Sequence, residues 1–381
     1  MKVTEKIRSV GVFDPALTLF ERQYPVRGMA YNSYVILDDK IAVLDTVDAH
    51  VGGEWQKQLD LALDGRAPDY LIVQHMEPDH SANIAAFLSR YPGATVVAST
   101  QAFVMMRQFF GTDYSDRRLV VGDGDTLTLG THTLHFLTAP MVHWPEVIVT
   151  YDDCDRVLFS ADAFGAFGAP ERSADWTDEA RRYYIGIVGK YGAQVQALLK
   201  KAAAVDIRTI CPLHGPVLDG GLSDCLELYR KWSTYTPEEP GVCIAFTSVY
   251  GNTRRAAELL AERLRADGTT VALHDLTVQD KSFAIADAFR YDRLVLATTT
   301  YNGDVFPAMR AFLSGLTERS FRARRVGLIE NGTWAPVAAK VMRGMLEPCR
   351  DLSFADTAVR IRSALNEESR AQLDALAAEM R

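Results

Sequence analysis

The C-terminal part of the chain alternates short apolar runs with amphipathic segments in a regular way. Five apolar runs predict β-strands, near residues 242–247, 270–275, 293–298, 325–330 and 356–362. Each is followed by a segment with the apolar spacing of a helix, near 253–266, 283–289, 307–316, 335–346 and 366–380. Since every strand is followed by a helix, we expect an α/β fold with a doubly wound, five-stranded parallel sheet covered on both faces.

The N-terminal part is less regular, and its predicted strands alternate unevenly with short helices. The apolar runs that predict strands are 35–37, 41–44, 70–73, 95–97, 133–136, 147–149 and 157–159. The polar residues 152–155 lie between the last two runs and predict a β-hairpin. The two parts of the chain therefore follow different patterns.

The pattern changes at residues 234–240, where we place the domain boundary. This segment carries two prolines and two glutamates, and it separates a helical pattern at 222–232 from the apolar strand near 242. Such segments are typical of linkers between domains. A chain of 381 residues is long enough for two separate cores. We predict domains at 1–236 and 241–381.

Composition and charge narrow the class of protein. Hydrophobic residues make up 48% of the chain and charged residues 24%, which are ordinary values for a globular protein. The net charge of −8 argues against nucleic acid or an anionic membrane surface as a partner. We see no secretory signal at the N-terminus and no apolar run long enough to span a membrane.

The cysteines give information about metal sites and compartment. There are five, widely scattered and never in a C-x-x-C pair: Cys154, Cys211, Cys225, Cys243 and Cys349. This argues against a disulfide framework and against a metal site built from cysteine alone. We expect a cytoplasmic protein.

Metal-ligand side chains are concentrated directly after the apolar run 70–73. His75, Glu77, Asp79 and His80 fall within six consecutive positions, in a loop that Pro78 stiffens. One such residue after a strand is commonly a turn or structural residue. Four within six positions indicate a metal site.

Three further ligand-type residues, His143, Asp162 and His214, also follow predicted strands. Their repeated placement immediately after β-strands links them to the first group. The remaining histidines lack this context, and we predict that they are structural or exposed: His50, His132, His135 and His274.

The series His75-x-Glu77-x-Asp79-His80 together with His143, Asp162 and His214 resembles the metallo-β-lactamase-like domain of flavodiiron proteins (A-type flavoproteins). Most zinc hydrolases of that fold carry histidine at the position of Glu77. A carboxylate in place of an imidazole makes the site more anionic, which suits iron at least as well as zinc. The resemblance implies an αββα sandwich for the N-terminal domain.

The resemblance also implies how the ligands would divide between two iron ions. They would be His75, Glu77 and His143 for one iron, Asp79 and His214 for the other, and Asp162 as the bridge. His80 would either bind the second iron or stand off it. We also expect Phe164, Gly165 and Trp144 to leave a dry pocket open to a gas.

The segment 246–253, Phe-Thr-Ser-Val-Tyr-Gly-Asn-Thr, joins the first C-terminal strand to its helix. Its hydroxyls, its glycine and the amides of the helix N-terminus favour a phosphate group. It contains no lysine and is not a G-x-G-x-x-G motif, so it predicts neither a Walker A loop nor a dinucleotide site. Taken alone, it is also compatible with an ordinary capped helix.

Two later loops, 298–304 and 330–334, follow strands at the same sheet edge, and each carries an aromatic residue. With these loops the C-terminal domain resembles a flavodoxin, which implies FMN. The residues implied at the phosphate are Thr247, Ser248, Tyr250, Gly251, Asn252 and Thr253. Those implied around the isoalloxazine are Thr300, Tyr301, Asn302, Gly303, Asn331, Gly332 and Trp334. The third loop, Glu-Asn-Gly-Thr-Trp, departs from the Gly-Ser-Tyr-Gly-Trp type that is common in the family.

The resemblance covers essentially the whole chain. It implies an oxidoreductase that reduces dioxygen to water, nitric oxide to nitrous oxide, or both, with electrons relayed through FMN from a separate rubredoxin-type donor. It also implies a head-to-tail homodimer or a dimer of dimers. The preference between the gases stays open. The stretch 21–25 lacks a histidine found in some members, and 183–187 departs from the usual Tyr-Tyr-Ala-Asn-Ile.

Two other functions remain as alternatives. The first is a zinc-dependent hydrolase of the metallo-β-lactamase fold joined to a flavodoxin domain, against which Glu77 argues. The second is an electron carrier or redox sensor whose N-terminal domain is only a scaffold, against which the complete ligand set argues. Metal analysis and a visible spectrum distinguish these functions from gas reduction.

Overall fold

The computed structural model describes all residues, 1–381, and divides into two compact units, Met1–Arg230 and Lys231–Arg381. The strands of the first unit are β1 (Ile7–Ser9), β2 (Val12–Asp14), β3 (Leu19–Phe20), β4 (Tyr24–Pro25), β5 (Met29–Tyr31), β6 (Tyr34–Leu37), β7 (Ile41–Leu44), β8 (Tyr70–Ile72), β9 (Thr95–Ala98), β10 (Arg118–Val120), β11 (Thr126–Thr128), β12 (Thr133–Thr138), β13 (Ile148–Asp152), β14 (Val157–Phe159) and β15 (Thr209–Cys211). Its helices are α1 (Gly52–Leu63), α2 (Pro78–Ser81), α3 (Ile84–Arg90), α4 (Thr100–Phe110), α5 (Trp176–Tyr183) and α6 (Gly192–Ala202), and α7 (Leu222–Ser233) runs across the division at Arg230.

Two mixed sheets form the centre of the first unit. One has the strand order β1-β6-β7-β8-β9-β10, and it is parallel from β7 to β10. The other has the order β11-β12-β13-β14-β15 and contains the predicted hairpin β13–β14. Parallel strands place their carboxyl ends at one edge of a sheet, so the loops after β8, β14 and β15 can meet.

The sheets pack face to face, with helices on their outer sides. Tyr34 on β6 contacts Phe159 on β14, with ring centroids 5.4 Å apart, inside a core shared by both sheets. A second core lies between the first sheet and helices α1, α3 and α4. On the second sheet, Lys201 of α6 donates to the Thr138 carbonyl, 2.8 Å away. This is the αββα arrangement that the resemblance implied.

The segment after β8 differs from its sequence-based prediction as a loop. Pro78 begins the one-turn helix α2, which carries Asp79 and His80. Proline suits this first helical position because its φ is already helical and no amide hydrogen is needed there. Glu77 therefore lies just before the helix and the next two ligand candidates lie on it.

The second unit is a doubly wound α/β sheet. Its strands are β16 (Glu239–Phe246), β17 (Val271–Asp275), β18 (Tyr291–Tyr301), β19 (Asp304–Val305), β20 (Arg325–Asn331) and β21 (Ser353–Ile361). Its helices are α8 (Asn252–Ala266), α9 (Lys281–Arg290), α10 (Pro307–Glu318), α11 (Ala338–Met345) and α12 (Glu367–Glu379). The five long strands are parallel in the order β17-β16-β18-β20-β21, and the order reverses between β16 and β18. A ligand site is expected at this switch point, beyond the carboxyl ends of the strands.

Strand β16 begins at Glu239, inside the segment 234–240 that the sequence analysis assigned to a linker. A buried arginine holds the residues before it. Arg324, only 2% exposed, donates to the carbonyl oxygens of Tyr235 (2.8 Å), Phe289 (2.6 Å) and Tyr291 (2.7 Å). Buried carbonyl groups need such partners, so this proline-containing segment is ordered against the second unit.

No helix of the protein combines the length and the apolar character that crossing a membrane requires.

Candidate functional site

Four predicted ligands converge in the first unit at the ends of three strands. His75 and Glu77 follow β8, His143 follows β12, and Asp162 follows β14. His143 Nε2 lies 3.0 Å from Glu77 Oε2 and 3.0 Å from Asp162 Oδ2, and His75 Nε2 lies 3.3 Å from Glu77 Oε2. Two imidazoles and two carboxylates thus point at one small volume.

Asp79, His80 and His214 form a second group beside the first. His214 follows β15, and its Nε2 lies 3.2 Å from Asp79 Oδ2 and 3.0 Å from His80 Nε2. His80 is fully buried and faces this group. The side chain that the sequence left undecided is therefore turned toward the other candidate ligands.

Asp162 lies between the two groups and faces both. Its Oδ2 atom is 3.4 Å from His75 Nε2, and its Oδ1 atom is 3.4 Å from His80 Nε2 and 3.9 Å from His214 Nε2. A carboxylate so placed can hold two metal ions close enough for one small molecule to contact both.

The charges of the cluster suit cations. Burial alone would lower the pKa of His143, but its hydrogen bonds to Asp162 and Glu77 outweigh burial and raise the pKa to about 9. Burial would raise the pKa of Glu77, yet the hydrogen bonds to His143 and His75 lower it to about 2. The carboxylates therefore favour positive charge at this site.

Several buried polar atoms in the cluster have no hydrogen-bond partner: Asp79 Oδ1, Asp162 Oδ1 and His80 Nδ1. Buried polar atoms are nearly always paired in folded proteins. The mixed set of imidazole nitrogens and carboxylate oxygens also matches the ligands of non-haem iron. The residues present therefore fit a pair of iron ions.

Further contacts orient the candidate ligands. Glu146, which is fully buried on its side chain, lies 2.8 Å from His75 Nδ1 and accepts a hydrogen bond of the same length from the Met76 amide. His214 Nδ1 lies 2.8 Å from the Ala30 carbonyl oxygen. Such partners fix the tautomer and direct the other ring nitrogen toward a metal. The sequence analysis missed Glu146, although it lies three residues after His143.

Asp45 is a second residue that the sequence analysis missed. It follows β7 and accepts hydrogen bonds from the Gln74 amide (2.7 Å), the Gln74 side chain (2.9 Å) and the His75 amide (3.3 Å). Its complete burial raises its pKa to about 6. The rule that identified Asp162, an aspartate immediately after a strand, would have identified Asp45 too.

A cavity of about 700 Å³ opens beside the second group. Its walls come mainly from the segment between β2 and β5, together with the site itself: Asp14, Ala16, Leu17, Thr18, Leu19, Phe20, Glu21, Arg22, Tyr31, Asp48, His50, Glu77, Pro78 and Asp79. Phe164, Gly165 and Trp144 do not line this cavity, and the dry pocket expected beside them stays a prediction. Phe164 instead stacks on Tyr229 at 4.1 Å, and Trp144 packs edge-on against His75 at 5.3 Å.

His50 lies at the polar side of this cavity, between two carboxylates. Its Nδ1 is 2.6 Å from Asp48 Oδ1 and its Nε2 is 2.9 Å from Asp14 Oδ2. The Tyr31 ring lies between it and the metal-ligand cluster, with centroids 5.7 Å from His50 and 5.8 Å from His214. Burial would lower the pKa of His50, but the two carboxylates raise it.

A second cavity, of about 660 Å³, lies in the second unit at the switch point of its sheet. Its volume falls within the range of roughly 300–1,000 Å³ typical of small-molecule sites. The lining includes eleven of the thirteen residues predicted at FMN: Ser248, Tyr250, Asn252, Thr253, Thr300, Tyr301, Asn302, Gly303, Asn331, Gly332 and Trp334. It also includes five that were not predicted: Val249, Thr299, Thr333, Ala335 and Ser363.

The two predicted residues outside this lining lie next to it. Thr247 is fully buried, and its hydroxyl lies 2.6 Å from the Thr298 hydroxyl. This hydrogen bond connects the loop after β16 to strand β18, under the cavity. Gly251 precedes α8 with φ +90°, a conformation that favours glycine, and its amide donates to Ser248 Oγ at 3.1 Å. The helix amides thereby face the cavity, as phosphate binding requires.

Exposed aromatic rings surround this cavity. Tyr250 is 91% and Trp334 90% exposed, and Tyr301 is partly exposed. Asn302 and Gly303 both have positive φ and form the tight turn between β18 and β19 that presents Tyr301. Large exposed rings around a concave site are suited to stacking on a flat ligand, so the cavity fits FMN.

Comparison with known proteins agrees with both domains. The family model "ODP family beta lactamase" matches residues 29–215, and a flavodoxin-domain model matches 243–356. Rubredoxin oxygen:oxidoreductase from Desulfovibrio gigas superimposes with a TM-score of 0.92 and 26% identity, covering 100% of this chain and 97% of that one. The flavodiiron protein from Giardia intestinalis gives a TM-score of 0.91 at 24% identity, covering 100% and 95%.

The chain belongs to the flavodiiron proteins. Among curated relatives, the anaerobic nitric oxide reductase flavorubredoxin of Aliivibrio salmonicida is 27% identical over 320 residues, or 81% of this chain. The chain spans 64% of the length of that relative. The two-domain fold implied by the resemblance is thus confirmed, with the metallo-β-lactamase-like domain first and the flavodoxin-like domain second.

Further titratable residues lie near the metal-ligand cluster. Glu21 and His50 both line the cavity in the first unit. Although the Glu21 side chain reaches the surface, the surrounding protein limits its hydration, and this together with the charge of Glu77 raises its pKa. Tyr183 is buried, with its ring centroid 5.6 Å from that of His214.

Proposed function

We propose that this protein is an FMN- and diiron-dependent oxidoreductase that reduces dioxygen to water, nitric oxide to nitrous oxide, or both. The observation that carries the proposal is the position of Asp162, with one carboxylate oxygen toward each group of ligand-type side chains. The names of its relatives, an oxygen oxidoreductase and a nitric oxide reductase, support both gases as substrates.

The residues have distinct proposed roles. His75, Glu77 and His143 would hold one iron, Asp79, His80 and His214 the other, and Asp162 would bridge them. His80 is included because its Nε2 lies 3.5 Å from Asp79 Oδ2 and 3.0 Å from His214 Nε2. When bound, the iron pair would supply the electrons and the open positions for the gas, and FMN would supply stepwise electron transfer.

The cavity beside the cluster supports proton supply from this chain. Both reductions consume protons as well as electrons, so a proton source near the gas is required. His50, held by Asp14 and Asp48 on the cavity wall, can carry a proton at Nε2 or Nδ1. The apolar side chains of Leu17 and Phe20 lie on the same wall.

In the second unit, the α8 N-terminus with Ser248, Asn252 and Thr253 would hold the FMN phosphate. Tyr301 and Trp334 would flank the isoalloxazine, and Asn331 and Gly332 would contact it. A Cβ at position 332 would come within 3.0 Å of Pro336 Cα. Glycine therefore lets this loop follow the cavity wall.

We also propose a rubredoxin-type electron donor, a head-to-tail homodimer and a cytoplasmic location. The word rubredoxin in the names of two relatives supports the donor. All five cysteines are free thiols, which supports a reducing compartment. Analytical ultracentrifugation tests the dimer, and rubredoxin-dependent turnover under anaerobic conditions tests the donor.

The deciding experiment combines composition with kinetics. We expect about two irons and about one FMN per chain. The reduced protein should be reoxidised by dioxygen or nitric oxide in anaerobic stopped-flow experiments, and the two rates give the gas preference. Zinc with hydrolytic turnover would support a hydrolase instead, and flavin without metal would support an electron carrier.

A further inference from the structure

A third group of metal-ligand side chains lies in the first unit, outside the iron cluster. Ligand atoms of His132, Cys154 and Asp155 all lie within 4.8 Å of one another. His132 immediately precedes β12, whereas Cys154 and Asp155 belong to the turn between β13 and β14. Two separate turns therefore bring an imidazole, a thiol and a carboxylate together.

His132 is fixed in the way that metal-binding histidines are fixed. It is only 2% exposed, and its Nδ1 lies 3.0 Å from Asp152 Oδ1. Its amide donates to Asp38 Oδ2 at 2.8 Å, which anchors its backbone. A carboxylate on one ring nitrogen is the usual support of a metal-bound imidazole, whose other nitrogen binds the ion.

Asp155 is held by Asp152 and by the N-terminal segment, whereas Cys154 is exposed. The Asp155 amide donates to Asp152 Oδ2 at 3.0 Å, and its side chain accepts a hydrogen bond from Thr4. Cys154 is exposed, so an ion from solution can reach its thiol. Asp152 thus orients the imidazole ligand and the backbone of the carboxylate ligand together.

The charge around the three side chains favours a cation. Partial burial raises the pKa of the Cys154 thiol, and so do the negative charges of its neighbours Asp155, Asp152, Asp153 and Asp38. Lys6 is the positive group in the vicinity, and it forms an ion pair with Asp38. Because these carboxylates outnumber the single lysine, the local electrostatic potential is negative and would attract a divalent cation.

We propose that His132, Cys154 and Asp155 bind one zinc ion, with water in the remaining position. Thiolate and imidazole together favour zinc over magnesium or calcium, and three protein ligands with one open position are a common zinc geometry. Zinc–sulfur and zinc–nitrogen bonds of about 2.3 and 2.0 Å place neighbouring donors roughly 3–4 Å apart. Small side-chain movements within the observed limit of 4.8 Å achieve this.

Such a zinc ion would connect the ends of strands that lead to iron ligands. His132 precedes β12, whose other end leads to His143, and the Cys154–Asp155 turn precedes β14, which leads to Asp162. The ion would tie both strands at the ends remote from the cluster. The proposal does not depend on gas reduction, so its failure would leave the proposed function unaffected.

The test uses the intact protein loaded with iron and FMN. Zinc is titrated by calorimetry, and the bound zinc is then examined by X-ray absorption at the zinc edge, where neither iron nor flavin interferes. We expect one zinc per chain bound without release of iron, with one sulfur neighbour at about 2.3 Å. The iron cluster contains no cysteine, so zinc that had entered it would show no sulfur.

Variants show which residues supply the sulfur and carboxylate ligands of the zinc ion. Cys154→Ser should remove the sulfur neighbour and weaken zinc binding by more than the roughly 10–100-fold typical of losing a supporting group. Cys349→Ser, at another cysteine that is not fully buried, should change neither result. Asp155→Asn keeps the thiol and should retain the sulfur neighbour with lower affinity. Flavin content and circular dichroism check that each variant is folded.

Three results would overturn the proposal. They are the absence of a sulfur neighbour in the wild type, a sulfur neighbour that persists in Cys154→Ser, and zinc uptake matched by an equal loss of iron.

Discussion

At the scale of single residues, two glutamates near His75 have different roles. Glu77 points its carboxylate at the first group of ligands, within 3.0 Å of His143 Nε2. Glu146 lies behind His75, at Nδ1, and cannot reach the same volume. We therefore expect Glu77 to influence which metal the site prefers, and Glu146 to influence how firmly His75 is held.

Glu77→His should change the metal. Replacing the carboxylate by an imidazole removes negative charge and an oxygen ligand, so we expect zinc to replace iron and gas reduction to be lost. Metal analysis after reconstitution with equal iron and zinc measures this. Glu21→His makes the same exchange on the cavity wall, outside the ligand set, and should keep iron. A Glu77→His protein with full iron and full activity would show that our interpretation is wrong.

Glu146→Ala should weaken metal binding by about 10–100-fold, because His75 loses the group that fixes its ring. Glu146→Gln keeps a carbonyl oxygen to accept from Nδ1 and should lose less. Competition with a chelator under anaerobic conditions measures both affinities. Equal affinities for wild type and Glu146→Ala would exclude an orienting role.

At the scale of elements, short turns and caps position the functional side chains. Asn366 Oδ1 accepts from the Ser369 amide at 2.9 Å, and Ser369 Oγ accepts from the Asn366 amide at 2.9 Å, which starts α12. This helix buries Leu373 and Leu376 in the core of the second unit. The cap therefore acts on the unit that carries the FMN cavity.

Asn366→Ala should lower the free energy of unfolding of this unit by about 1 kcal/mol, since the helix loses its side-chain cap. Denaturant titration followed by flavin fluorescence measures the change. The control is Arg370→Ala, on the exposed face of the same helix, with an expected effect within about 0.5 kcal/mol of zero. An equal effect of the two substitutions would contradict the capping role.

The ion pairs that His50 forms with Asp14 and Asp48 predict a pH-dependent contribution to the stability of the folded protein. The pKa of His50 is raised in the folded protein, whereas an unfolded histidine titrates near about 6.5. The stabilisation is therefore full below about pH 6.5 and is lost as pH rises through the folded pKa. The melting temperature of wild type should exceed that of His50→Gln most at low pH.

The comparison is made by thermal unfolding at a series of pH values. The double variant Asp14→Asn/Asp48→Asn is the control, because removing both carboxylates should abolish the pH-dependent part of the difference. A difference that grows as pH rises would have the wrong sign for this ion pair.

At the scale of the whole molecule, the two units carry separate candidate sites. All seven iron-ligand candidates belong to Met1–Arg230, and the FMN cavity is lined only by residues of Lys231–Arg381. Each unit also has its own hydrophobic core. Each unit should therefore bind its own cofactor when it is prepared without the other.

A fragment of residues 231–381 should fold, bind about one FMN and contain no iron. Flavin fluorescence quenching and metal analysis measure this. The same fragment with Gly332→Val is a control for the cavity, because a side chain at this position would meet Pro336. FMN binding by wild-type fragment and variant with equal affinity would contradict the assignment of the cavity.

Much of this architecture could be predicted from sequence because it depends on local patterns. Strand–helix alternation after residue 240 reproduces the five long strands β16, β17, β18, β20 and β21, since apolar periodicity reflects burial on a regular element. The seven ligand candidates could be identified because each lies close after a strand, within a motif that resembles a known family. Glu77, together with the family resemblance, favoured iron over zinc.

The tertiary structure decided what depends on residues far apart in the chain. The wall of the cavity comes mainly from the segment before β5, which carries no strand-end pattern, so Leu17 and Phe20 could not be assigned to it. The orientation of His80 toward His214 follows from the packing of α2 against the loop after β15. The sequence alone determined which side chains are available for chemistry, whereas only folding decided which of them face one another.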